Sequence, residues 1–215
     1  MPQPVAGLWI DWDTSKMWKR MRVQVSSYAL NALGREPKVT VADRTVRLSP
    51  TALAPSAARQ AYALVDASAG CKYFAKAFTD DESPMQEMRA RATARFLAEQ
   101  WSRRMLDQPL VFLPLQLMRC DGSEAPFSLM ALEPWVPSGN SANPLAAHYV
   151  GAPSELTEAF SHFTWHYSGG ELLVAEAHGA PTTLTGPRIH SSGETFGVGD
   201  LGLDGMDNFF LTHKC

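Results

Sequence analysis

A two-lobed α+β fold with a cleft between the lobes is what this sequence predicts, and three observations carry it. The first half is rich in β-branched, partly alternating segments. One long stretch without Gly or internal Pro interrupts them. After a loop dense in Pro, Gly, Asn and Ser, the second half mixes helical and extended patterns. The expected division is a strand-rich N-lobe with one long helix over 1–133 and a C-lobe over 134–215. At 215 residues, 45% of them hydrophobic, the chain is long enough to bury a core around such a site. A net charge of −3 with both signs interspersed offers no basic face for nucleic acid. No apolar run approaches the roughly 20 residues of a membrane helix, and the N-terminus has no secretory pattern. Cys71, Cys120 and Cys215 are too few and too far apart for a disulfide framework. That points to a reducing compartment, the cytoplasm, with Cys71 and Cys120 as packing residues.

Taken in order, residues 1–35 mix Trp, Met and basic residues, with a strand expected at Val23–Tyr28. Lys38–Leu48 reads as one or two strands. Ala58–Asp66 and Cys71–Phe78 read as a strand pair around the turn Ala67-Ser-Ala-Gly70. Pro84–Met105 is the clearest helix, with Met85, Met88, Ala92 and Phe96 expected on one face and basic residues on the outer one. Leu110–Met118 and Phe127–Glu133 read as strands joined by the turn Cys120-Asp-Gly-Ser. Pro134–Pro153 is a loop. Ser154–His166 is a helix with Ser154 as N-cap and acidic residues in its first turn. Gly170–Glu176 is a strand, followed by loop until a terminal helix near Asp204–Leu211.

Lys76 stands in a strand among Phe74, Ala75 and Phe78, where an ammonium can meet a phosphate as a point charge. Glu176 and His178, two apart on an extended segment, fall on one face, and a carboxylate beside an imidazole can orient it for proton transfer. Phe196-Gly-Val-Gly-Asp-Leu-Gly202 contains Gly-x-Gly-x-x-Gly. It does not sit inside a βαβ unit with an acidic residue about 20 positions on, which excludes a dinucleotide fingerprint.

Several pieces together resemble the alpha-kinase family, the atypical kinases of myosin heavy chains, elongation factor 2 and certain ion channels. They are Ser56-Ala-Ala-Arg-Gln-Ala-Tyr62, Tyr73-Phe-Ala-Lys76, Leu132-Glu-Pro-Trp-Val136, Glu158-Ala-Phe-Ser-His-Phe-Thr-Trp165, Gly170–Gly179, Leu184-Thr-Gly-Pro187, Phe196–Gly202 and the ending Phe209–Cys215. The resemblance covers roughly 45–215 and implies the alpha-kinase α+β fold. It implies an ATP pocket with Arg59 and Lys76 on the nucleotide, and a hinge that meets adenine through Glu133 and the backbone near Val136. Glu87, or Gln86 with a slip of one, begins the long helix on the nucleotide side. Gly197, Gly199, Asp200 and Gly202 match a loop on the substrate side, Asp200 standing for the family's Asn and adding a charge unfavourable to an acidic partner. His162, His213 and Cys215 match three ligands of a structural Zn²⁺, with water, His190 or the terminal carboxylate as fourth.

The chain departs from the family where the chemistry lies. Ser56 replaces a Gly. The loop after the hinge keeps Gly139, Asn140 and Asn143 but no Lys. Glu176 replaces the catalytic Asp, His178 the Gln that helps hold Mg²⁺, and Gly186 the second Asp. One extra methylene displaces the carboxylate, which costs on the order of 10²-fold in rate. Imidazole suits Mn²⁺ or Zn²⁺ better than Mg²⁺. Losing the second Asp removes a ligand and a charge together, and phosphoryl transfer rests on that neutralisation. Three functions follow: a pseudokinase-like ATP- or anion-binding module with impaired phosphotransfer, an active atypical serine/threonine kinase acting on a protein substrate, or a repurposed small-molecule enzyme using Glu176 and His178 as acid and base. The partners expected are a nucleotide or other anionic small molecule and a protein.

Overall fold

Alternation in the first part of the chain becomes barrel curvature. The computed structural model describes residues 10, 12–31, 34, 36–53, 60–79, 82–121, 125–136, 155–179 and 182–213; the side chains of residues 176 and 178 lie outside that description. The chain divides into two compact units, one made of residues 1–29, 38–80 and 115–146, the other of 30–37, 81–114 and 147–215.

The first unit starts with a short 3-10 helix, Trp12–Met17, followed by β1 (Lys19–Leu30), β2 (Pro37–Leu48), β3 (Ala61–Asp66) and β4 (Lys72–Ala77). Strands β6 (Gln116–Cys120) and β7 (Leu129–Pro134) complete it. They close a barrel in the order β1-β2-β3-β4-β7-β6. Met21, Val23 and Val25 from β1 alternate inward and meet Val46, Leu48, Tyr62, Leu64, Ala75, Met118, Met130 and Leu132. The β3–β4 pair and its turn stand where expected, Asp66 N–H donating to Cys71 O at 2.8 Å. Lys38–Leu48 lies within a single strand. Cys120 packs in the barrel as expected, where burial first and Asp121 second push its thiol pKa up. Cys71 does not pack; it is exposed.

The second unit holds the long helix α1 (Pro84–Ser102) and β5 (Val111–Phe112). With them are α2 (Glu155–Tyr167), β8 (Leu172–Gly179), β9 (Thr183–Ser191) and α3 (Gly202–Thr212). Its sheet runs β5-β9-β8. The expected division at 133 does not follow the two units: α1 groups with the C-terminal half. Ala90, Ala94, Leu97, Ala98 and Trp101 of the helix share one core with Phe112, Phe160, Val174, Leu184 and Ile189. The expected apolar face holds at Met88 and Ala92 but not at Met85, which is exposed.

Two differences from the sequence reading have local causes. The run 110–118 is not one strand. It breaks around Pro114, which has no N–H for a ladder, so β5 pairs with β9 while β6 joins the barrel. Second, β9 was expected to be loop. Its centre is Gly186-Pro187, which reads as a breaker, but the ladder absorbs both residues in a bulge. Thr185 pairs with His178 and Arg188 with Glu176, so β9 spends three steps where β8 spends two, and Gly186 takes φ +56 there. The expected loop 134–153 and the N-cap Ser154 lie, from residue 137 on, outside the described residues.

Arg91 is on the inside of α1 rather than on a basic outer face, and is 2% exposed. It donates to Leu113 O at 3.1 Å and to Thr185 Oγ1 at 2.7 Å, tying the helix to β9. Arg91→Leu leaves both acceptors without this donor inside the unit. It should lower unfolding free energy by about 2–4 kcal/mol in denaturant titration, whereas Arg103→Leu, at an exposed position, should change it by less than about 0.5 kcal/mol.

Candidate functional site

Strand pairing brings two of the expected nucleotide residues together. In the antiparallel β4–β7 ladder Phe74 faces Glu133 and Lys76 faces Ala131. Alternation puts Lys76 and Glu133 diagonally on one face, the one opposite Ala75 and Leu132 in the barrel core. Lys76 Nζ lies 2.6 Å from Glu133 Oε2, with side-chain exposures of 14% and 3%. Two charges so deprived of water are held only because each compensates the other. Val136 follows at the strand's exit and is exposed. Arg59 lies outside the described residues. The Lys76–Glu133 bond itself escaped the sequence reading. Two polar residues on neighbouring apolar strands were its signal, but the register that pairs them is not written locally.

In the second unit the catalytic-like segment is the backbone of β8. Glu176 pairs with Arg188 and His178 with Thr185, with register shifts on both sides of Glu176. The period-two argument that put Glu176 and His178 on one face needs a regular strand, and this strand is not regular.

The loop Phe196–Gly202 is organised by Asp200, whose charge, expected to disfavour an acidic partner, is turned onto donors of its own surroundings. Asp200 is 7% exposed. Its carboxylate accepts from Ser191 N–H at 2.8 Å, Ser191 Oγ at 2.5 Å, Phe196 N–H at 3.1 Å and Gly202 N–H at 3.1 Å. Burial raises its pKa, but the bond from Ser191 Oγ and those from the backbone N–H groups of Ser191, Gly202 and Phe196 together outweigh it, so the net shift is downward. Gly197 has φ +95, and a Cβ there would lie 3.1 Å from Gln86 Oε1. The glycine is thus favoured by backbone conformation, close beside the first turn of α1. Gly199 lies against Arg188, a Cβ there falling 3.0 Å from its Nε.

The expected metal ligands meet in part. His162 Nδ1 on α2 lies 3.1 Å from His213 Nε2 beyond α3. His213 Nδ1 is buried, without a hydrogen-bond partner among the described residues. Glu158 Oε2 stands 3.9 Å from it, and a groove of about 550 Å³ opens beside both rings, between α2 and Trp101. Cys215 lies outside the described residues, and among those described no third ligand completes a set. His190, the alternative fourth ligand, is occupied otherwise: its Nδ1 accepts from Leu201 N–H at 3.1 Å.

With this geometry in hand, comparison with known proteins identifies the class. The profile of the alpha-kinase family matches residues 54–215, and the chain belongs to that family. Myosin heavy chain kinase C of Dictyostelium discoideum is 32% identical over 120 residues, 55% of this chain and 15% of that protein. The eukaryotic elongation factor 2 kinase of Caenorhabditis elegans is 26% identical over 217 residues, 95% of this chain and 28% of that protein. The chain therefore spans less than a third of these relatives. Among solved structures, the inactive alpha-kinase domain of a myosin heavy chain kinase A aspartate-to-alanine variant, in complex with ATP, superposes with a TM-score of 0.73 at 19% identity. That match covers 92% of this chain and 95% of the other. The same domain in complex with AMP gives 0.73 at 19% identity, over 92% and 96% of the two chains. These likenesses establish the fold.

Asp200→Asn should lower stability by about 1–3 kcal/mol near neutral pH, because the ionised acceptor is lost. The folded-state pKa of Asp200 is lowered, so its contribution is complete above the unfolded value of about 3.9 and is lost as pH falls through the folded one. The difference between the two proteins in urea titrations should therefore shrink below about pH 4.

Proposed function

We propose that this chain is an ATP-binding alpha-kinase domain whose phosphotransfer is impaired, and that it acts on a protein partner through nucleotide-dependent binding. The single observation carrying the reading is Gly186. It occupies the bulge beside Thr185 with φ +56 and has no side chain, where the family resemblance calls for a carboxylate. The residues at 176, 178 and 186 do not fit Mg²⁺, since one oxygen ligand is replaced by imidazole and another is missing.

Binding is supported separately. Lys76 supplies a cation for phosphate, held beforehand by Glu133, and the chain leaving β7 offers backbone groups to a purine. The relative described as inactive for want of one aspartate still holds ATP in its complex. Loss of a carboxylate and retention of nucleotide are therefore compatible on this fold.

Zinc belongs to the same reading as a structural element. Two nitrogen ligands about 2.0–2.1 Å from zinc in a tetrahedron are roughly 3.3 Å apart, close to the 3.1 Å between His162 Nδ1 and His213 Nε2. His162, His213 and Cys215 would hold the ion, which would fasten the C-terminus to α2. Metal analysis should find about one zinc per chain, and a strong chelator should lower the melting temperature of the unaltered protein but not that of His213→Ala.

ATP at millimolar concentration should raise the melting temperature while labelled ATP leaves no phosphate on the chain or on added protein. Combined Gly186→Asp and Glu176→Asp should bring transfer up by at least about tenfold, at a cost of about 1–2 kcal/mol in stability for a non-glycine residue at positive φ. Efficient transfer by the unaltered chain would overturn the impaired reading; no thermal response to ATP would overturn the nucleotide reading.

A further inference from the structure

The face of the β4–β7 ladder that carries Lys76 and Glu133 ends in an aromatic clamp. One step beyond the Tyr73–Pro134 pair, Trp135 N–H donates to Lys72 O at 2.9 Å. Lys72 is four residues before Lys76, so alternation puts both on the same face. The Lys72 ammonium lies 4.9 Å from the ring of Trp12 and 5.3 Å from the ring of Trp135. Trp12 and Trp135 meet edge to face at 5.5 Å, and Trp18 backs Trp12 at 5.8 Å. The indole Nε1 of Trp135 is buried with no hydrogen-bond partner among the described residues. The ring is therefore fixed by ring and cation contacts rather than by a polar anchor.

Trp12 belongs to the 3-10 helix that precedes the barrel. It reaches across to the residue that separates Glu133-Pro134 from Val136, the segment assigned above to the purine. We infer that Trp12 is a positioning residue for the adenine end of the nucleotide site: by clamping Lys72 and Trp135 it fixes the backbone that leaves β7. The inference rests on the nucleotide-binding reading. It gives the N-terminal segment, which lies outside the family match beginning at residue 54, a role in ligand affinity.

The clamp touches the base end and Lys76 the phosphate end, so the two should separate in binding. Calorimetric titration with ATP and with adenosine would be run on the unaltered chain, Trp12→Ala, Trp12→Phe, Lys72→Met and Lys76→Met. Trp12→Ala should weaken ATP and adenosine by the same factor, about tenfold. Trp12→Phe should recover most of that loss, and Lys72→Met should fall between. Lys76→Met should weaken ATP far more than adenosine. If Trp12→Ala does not fold, the Lys72→Met value carries the test alone. Unchanged affinities in Trp12→Ala and Lys72→Met would overturn the inference while leaving nucleotide binding intact, as would a loss confined to ATP. If the unaltered chain binds neither ligand, the nucleotide reading fails and the positioning role fails with it.

Discussion

The buried ion pair between Lys76 and Glu133 is the interaction on which the nucleotide account depends. An ammonium in an apolar strand is costly unless something compensates it, and β7 supplies the carboxylate through register alone. The pair also fixes geometry. Lys76 is held on one face of the ladder, and Lys72 and Trp135 continue that face. A phosphate approaching Lys76 would find a cation already oriented and partly desolvated, which is the condition under which a point charge interacts strongly.

The second unit is held by a different device, in which single polar side chains fasten irregular backbone. Thr164 Oγ1 donates to Ser161 O and accepts from Val174 N–H at 3.0 Å, joining α2 to β8. Arg91 fastens α1 to Thr185, next to the bulge. Asp200 gathers the ends of the glycine loop. Each satisfies backbone groups or hydroxyls that a regular ladder does not reach. The bulged β8–β9 ladder thus keeps its shape although Gly186 contributes no side chain. Such a framework is what the proposed binding role requires.

Much of this was legible locally. The β3–β4 hairpin followed from two β-rich runs around Ala67–Gly70, and α1 from the lack of breakers after Pro84. The family resemblance rested on short fixed motifs and agreed with the fold. What stayed hidden depends on partners distant in sequence. Gly186-Pro187 looked like a loop because its compensating residues are on β8. Asp200 looked like a surface charge because its donors at Ser191 and Phe196 are backbone or hydroxyl groups with no pattern of their own. Arg91 looked solvated because arginine usually is, and only Leu113 O and Thr185 explain its burial. Arg59 and Cys215, assigned from the resemblance, lie outside the described residues; Cys215 enters the zinc proposal, and the role of Arg59 rests on the resemblance alone.

A double-mutant cycle on Lys76 and Glu133 tests the central claim most directly. Unfolding free energies would be measured for the unaltered chain, Lys76→Met, Glu133→Gln and the double variant. Each single change should cost about 3 kcal/mol by taking away the opposite charge, and the double variant should cost clearly less than their sum, with a coupling of at least about 1.5 kcal/mol. Strict additivity of the two substitutions would mean that the pair does not exist in solution, and the preformed cation at the phosphate end would go with it.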